Sequence, residues 1–275
     1  MKNSWHRLLF VDSDSSSVFR FTYTVMAFAV MIFLPLTANA AFDQNHSAWN
    51  TLLQKYVVDH GDYSQVNYKA MKVDEAQLDG YLAEISALTK SEFGSWNRDQ
   101  QLATLINAYN AFTVKLILKH YPVKSIKDIG SFFTNSWKIT FFELFGEKTY
   151  LDHIEHDLIR GNAKFSEPRI HFTLVCASVG CPKLSNGAFT ASNLESKLEA
   201  STRAFLQDKS RNRYVAEKRL LQLSKIFDWY GGDFVKKYGS VQNFVAKYVT
   251  PKPAEQLLIA QGKVQFEYLD YDWSL

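Results

Sequence analysis

Cysteine is nearly missing from this 275-residue chain: Cys176 and Cys181 are the whole thiol inventory. So small a count excludes a disulfide-dense scaffold and a four-cysteine metal site. Charge of one sign is missing too, with 31 basic residues set against 28 acidic ones. The small basic clusters, Lys209 to Arg213 and Lys218-Arg219, read as solvated surface. Nothing there calls for a nucleic acid, which is met by a clustered basic face. Internal repeats and low-complexity tracts are also absent. The only long apolar run is Val25 to Leu36, about 12 residues against the roughly 20 needed to cross a bilayer.

That run, with Lys2, Arg7 and Arg20 before it and the small-residue motif Ala38-Asn39-Ala40 after it, has the composition of a cleaved secretory signal. The expectation is therefore a signal peptide over residues 1–40, then one globular domain over 41–275. The mature chain is expected in the periplasm, with secretion as the second choice. After cleavage it would hold 28 basic and 26 acidic residues and no membrane span. In an oxidising compartment an even cysteine count makes a disulfide the default.

Hydrophobic residues make up 47% of the chain and aromatics 15%, ample for a real core. Apolar spacing predicts helices over Ala48 to Val58, Asp74 to Leu88, Arg98 to His120, Thr149 to Arg160, Ser192 to Gln207 and Gly231 to Val249. Arg98 to His120, with one wide apolar face, is expected to be the central helix. A β-hairpin is predicted around Phe145-Gly146-Glu147, a buried strand over Arg169 to Cys176, and short strands at Arg213 to Val215 and Leu220 to Leu223. The fold class is α+β: a single domain with helices packed around a small, mostly antiparallel sheet.

Three groups of residues could carry chemistry. On the helix Thr149 to Arg160, Glu155 falls among Leu151, Ile154, Leu158 and Ile159, so it points at the core and needs a partner. His156 lies at the edge of that arc, near Asp152. Cys176 is followed by Ala177-Ser178-Val179-Gly180, whose amides could turn toward an oxyanion. A thiol there is a plausible nucleophile, with His156 as base and Glu155 or Asn110 as its orienter. In strand geometry His171 and Cys176 would face apart. Against the nucleophile stands a Cys176–Cys181 bridge, since four residues in a turn can bring two cysteines within bonding range. The third group, Asn107 and Asn110, is unfavourable inside a helix, so each amide should bond a loop or a site group. A zinc site built from His153, His156, His171 and the thiols has poor ligand spacing, and no cofactor is expected.

The motifs Leu105-Ile106-Asn107-Ala108-Tyr109-Asn110-Ala111, Tyr121-Pro122-Val123-Lys124-Ser125-Ile126, Ile154-Glu155-His156, His171-Phe172 and Cys176-Ala177-Ser178-Val179-Gly180-Cys181-Pro182 resemble, in this order, the domain of unknown function 547 family. The resemblance extends over roughly residues 63 to 235, including Leu223 to Tyr230. Its motif positions fall on Asn107, Tyr109, Asn110, Glu155, His156, His171, Cys176 and Cys181. The family carries no settled activity, so the resemblance marks a site and no reaction. Within that site Asn107, Tyr109, His171 and Ser178 are candidates for substrate binding.

Two functions remain open at this point. One is a thiol-dependent hydrolase or acyl transferase using Cys176 and His156. The other is a non-catalytic envelope binding domain, in which a Cys176–Cys181 disulfide shapes a groove lined by Trp137, Trp229 and Tyr230. Either would meet a small molecule, peptide or protein of the envelope.

Overall fold

Helix α5, Arg98–His120, organises the fold, and its bounds are those the apolar spacing predicts. It opens with a capping box in which Asn97 and Gln100 bond each other's backbone, satisfying two amides that a helix start leaves free. Every residue from Gln101 to Val114 is buried, so the helix runs through the core with no solvent face over that stretch. Its polar residues therefore need partners, and they recur every third position. Gln101 bonds the carbonyls of Phe93 and Trp96, Thr104 reaches His46, Asn107 and Asn110 hold loops, and Thr113 bonds back to Tyr109.

A computed structural model describes residues 41–130 and 134–275. The signal peptide expected over residues 1–40 lies outside the described residues. Among the described residues no helix is long and apolar enough to cross a membrane. Ahead of α5 come α1 (Ser47–Tyr56), the strands β1 (Val57–Asp59) and β2 (Ser64–Val66), α2 (Tyr68–Met71), α3 (Glu75–Ala87) and α4 (Lys90–Ser95). After it come the hairpin of β3 (Phe142–Leu144) and β4 (Glu147–Thr149), a π-helical segment His153–Arg160, α6 (Leu194–Gln207), and strands β5 (Arg213–Val215) and β6 (Leu220–Ser224). Helices α7 (Ile226–Tyr238), α8 (Val241–Val249) and α9 (Pro253–Ala260) and strand β7 (Gln265–Leu269) complete the fold.

The class is α+β, as expected, but the strands form three small sheets instead of one. Two are antiparallel pairs, β1–β2 and β3–β4; in the third, β6 pairs antiparallel with β5 and parallel with β7. One apolar cluster surrounds α5 and α1 and takes in the hairpin. A second, rich in aromatics, joins Phe172, Phe205, Phe227, Phe234 and Phe244 beneath α6, α7 and α8.

Four expectations need correction. The stretch Arg169 to Cys176 is no strand: Pro168–Phe172 is a 3-10 helix and the rest is irregular, because Pro168 opens a turn and Asn110 ties down the chain that follows. The predicted helix Gly231 to Val249 is two helices, α7 beginning earlier at Ile226. The break falls at Gly239, whose φ of 81° ends α7, and at Ser240, whose hydroxyl caps α8. Thr149 pairs with Phe142 in β4, so the helix predicted over Thr149 to Arg160 begins after it. That helix widens into π form, with the Gly161 amide bonding the His156 carbonyl at 2.7 Å.

Candidate functional site

Between the two apolar clusters lies a cavity of about 240 Å³. Tyr109 enters it from α5, Asp152 and Glu155 from the helix after β4, and His171, Leu174, Cys176, Cys181 and Pro182 from the irregular chain. Ile226, Trp229 and Tyr230 come from α7, Trp137 from the turn before the hairpin, and Tyr271 and Trp273 from the segment after β7.

Cys176 is set in place from α5. Asn110 Nδ2 donates to the Thr173 carbonyl at 2.8 Å, and its Oδ1 accepts from the Val175 amide at 2.9 Å. Asn107 grips Phe189 in the same two-sided way, at 2.7 and 3.0 Å. Both amides are thus committed to main chain and absent from the cavity wall, so neither orients an imidazole nor touches a cavity ligand. They position the loops that build the wall.

The Cys176 sulfur lies 3.0 Å from the Tyr271 hydroxyl and 3.2 Å from that of Ser178, and its amide donates to Cys181 Sγ at 2.9 Å. Burial works against a thiolate here. The hydrogen bonds from Cys181, Ser178 and Tyr271 outweigh it and draw the Cys176 thiol below its ordinary pKa. Cys181 moves the opposite way, held protonated by burial and by its bond to Cys176. Both cysteines are free thiols.

The segment 271–275 crosses the Cys176–Cys181 turn as a strap. The Val179 amide donates to Ser274 O and the Gly180 amide to Asp272 O, each at 2.8 Å, while Ser125 Oγ and Lys124 O hold the strap's far side. These two amides were among the expected oxyanion donors, and the strap occupies them. Ala177, at φ 51°, makes the turn, and among the described residues the Ala177 and Ser178 amides have no hydrogen-bond partner. On the outer side Arg211, paired with Asp208, donates to the Cys181 carbonyl.

Glu155 is buried, 6% exposed, as its periodicity implies, and the Tyr230 hydroxyl hydrogen-bonds it. His156 does not line the cavity. Its Nδ1 accepts from Arg160 at 2.9 Å, which occupies the nitrogen that would act as base, and Nε2 lies 3.8 Å from Asp152. His153 pairs with Asp157 on the surface at 2.8 Å.

The imidazole in the wall is that of His171. Its Nε2 lies 2.8 Å from Asp233 Oδ2, and Tyr230 stacks on the ring at 4.0 Å between centroids. Burial holds the His171 pKa down, so the ring is neutral at pH 7. The bond from His171, joined by Arg160, holds the Asp233 carboxyl below the usual range against the opposing effect of burial. An ionised carboxylate only accepts, so the His171 proton sits on Nε2 and Nδ1 is left as the basic nitrogen. The expectation that His171 and Cys176 face apart fails with the strand it assumed: both line one cavity.

Sequence reading missed Asp233, Arg160, Tyr271 and Trp273. An aspartate on a helix and a tyrosine near the end of the sequence carry no local signal; only the tertiary fold brings them in. Among the described residues no cluster of three or more His, Cys, Asp or Glu side chains could hold a metal.

No curated protein and no solved structure matches this chain. Residues 93–206 match the model of the family described as protein of unknown function, DUF547, a span that carries Asn107, Tyr109, Asn110, Glu155, His156, His171, Cys176 and Cys181.

Proposed function

We propose that the protein is an exported thiol-dependent acyl-transfer enzyme, a hydrolase or acyl transferase with Cys176 as nucleophile. The observation that carries this reading is the Cys176 sulfur at a cavity wall, ringed by the donors Ser178, Tyr271 and Cys181. The Cys176 thiol gives its proton to His171 Nδ1, the sulfur attacks the carbonyl of an amide, ester or thioester, and the acyl group passes to the sulfur as the amine, alcohol or thiol departs. His171, its tautomer fixed by Asp233, replaces His156 as the base; it returns the thiol's proton to the leaving atom and then takes one from the incoming water or acceptor. The free amides of Ala177 and Ser178 are the oxyanion donors this reading calls on. Export rests on the signal-like composition of residues 25–40.

The test is turnover of activated acyl esters and thioesters by purified protein. Cys176→Ser should abolish it with the fold intact, whereas His156→Gln should leave most of it. Undiminished turnover by Cys176→Ser overturns the reading.

A second reading, an envelope binding domain closed by a Cys176–Cys181 disulfide, draws support from the direct contact between the two side chains. Under it the isolated protein carries no reactive thiol until reduced.

A further inference from the structure

The cavity wall holds more than acyl transfer requires. Trp137, Trp229, Trp273 and Tyr230 present ring faces and edges to it, the carboxylates of Asp152 and Glu155 add negative charge, and neither lysine nor arginine lines it. Trp229 packs at 5.6 Å on Trp273, which in turn meets Trp137 edge-on at 5.7 Å, so the three indoles form a continuous corner.

Two of these rings already engage cations. Lys127 Nζ stands 4.3 Å from the Trp273 ring centroid, and the Arg160 guanidinium 4.8 Å from that of Tyr230.

The carboxylates add an independent observation. Glu155 is 94% buried by its 6% exposure, lines the cavity, and among the described residues forms no ion pair with any lysine, arginine or histidine. Asp152 has only His156, at 3.8 Å. Burial raises the Asp152 pKa, and the charge of Glu155 adds to the rise while His156 opposes it. Two carboxylates without a full counter-ion in a partly dry wall are costly, and a cation between them relieves both the burial and the repulsion.

We propose that this cavity recognises a positively charged nitrogen, an alkylammonium group on the substrate of Cys176, with the indoles as aromatic walls and Glu155 and Asp152 as counter-charge. The volume of about 240 Å³ admits one such headgroup and excludes a bulky one. A neutral apolar ligand would satisfy the rings and leave the carboxylates without a full counter-ion, and a neutral sugar would do the same. The proposal rests on the cavity being the substrate site of Cys176, but the recognition itself does not need the thiol.

The experiment titrates the full-length protein with choline and, separately, with 3,3-dimethylbutan-1-ol, which has the same shape with carbon in place of nitrogen. Binding is followed by tryptophan fluorescence and calorimetry. Choline should bind saturably, and the neutral isostere at least about tenfold more weakly. Trp229→Ala, at a position already 44% exposed, and the near-isosteric Glu155→Gln should each weaken choline about tenfold with unchanged circular dichroism. Equal affinity for both ligands, or no saturable binding of choline or tetramethylammonium at millimolar concentration, overturns the proposal. Choline binding beside an inert Cys176 would sink the thiol reading and leave the ammonium site standing. A reactive Cys176 without choline binding would do the reverse.

Discussion

The hydroxyl of Tyr271 stands 3.0 Å from the sulfur of Cys176, although 95 residues separate them in the chain. The contact exists because the strap 271–275 lies on the Cys176–Cys181 turn, and it adds a distant donor to those that Ser178 and Cys181 supply from nearby in sequence. A hydrogen bond to a charged group contributes about 1.5–3 kcal/mol, on the order of one to two pKa units. Tyr271→Phe should therefore slow iodoacetamide labelling of Cys176 at pH 7 about tenfold with little change in melting temperature. Unchanged labelling would show that Ser178 and Cys181 suffice.

Gly180 tests the strap from the other side. A Cβ there would stand 2.9 Å from Asp272 O, 3.0 Å from Asp272 N and 3.0 Å from Tyr271 Cδ1, and two of these atoms are backbone that cannot swing aside. Gly180→Ala should lift the strap and reproduce the labelling defect of Tyr271→Phe while leaving the hydroxyl in the protein. Combined, the two substitutions should be clearly less than additive, since they break one contact.

Asn110→Ala removes the side chain that satisfies both Thr173 O and Val175 N. Two buried main-chain groups left unpaired cost roughly 3 kcal/mol, which lowers the melting temperature by about 10 °C in a domain of this size. Asn107→Ala should cost a similar amount through Phe189, yet leave Cys176 labelling unchanged. A loss of Cys176 labelling in Asn107→Ala would contradict the assignment of the two amides to separate loops.

Acid should destabilise the fold in two stages. Burial holds His46 at about 4 instead of 6.5, against the weaker pull of Asp43, so the folded state keeps the ring neutral beside Tyr81. The unfolded chain binds that proton first; the contribution is complete above about 6.5 and is lost as pH falls toward 4. Burial would raise Glu167, but hydrogen bonds from Arg169 and Lys237 outweigh it and hold it at about 2 against 4.5, so its contribution disappears below about 4.5. Denaturant midpoints measured from pH 7 to 3 should show a shallower upper stage in His46→Gln and a shallower lower stage in Glu167→Gln. His171, also held down, leaves a residue of the upper stage in the first variant. Parallel curves for parent and variants would refute the assignment.

The central helix was legible to the residue because a long apolar period between Asn97 and Tyr121-Pro122 admits one reading. So were the burial of Glu155 and the loop-holding use of Asn107 and Asn110, which follow from the cost of a polar group in a core. The run from Arg169 to Cys176 misled because its β-branched and aromatic composition suits a strand. The Asn110 clamp and Pro168 decide it, and a clamp 63 residues away in sequence leaves no periodic trace. The same reason hides Asp233 behind His171 and Tyr271 behind Cys176, and it turned the search for a base toward His156, the histidine nearest Glu155 in sequence.

The most direct measurement of the central claim is site-resolved alkylation of the reduced, native protein across pH 5 to 10, read by mass spectrometry. The account predicts that Cys176 labels alone, with a midpoint below the ordinary thiol value near 8.5, while Cys181 stays unlabelled until the chain unfolds. Labelling of both cysteines with ordinary midpoints, or of neither in the native fold, would contradict it.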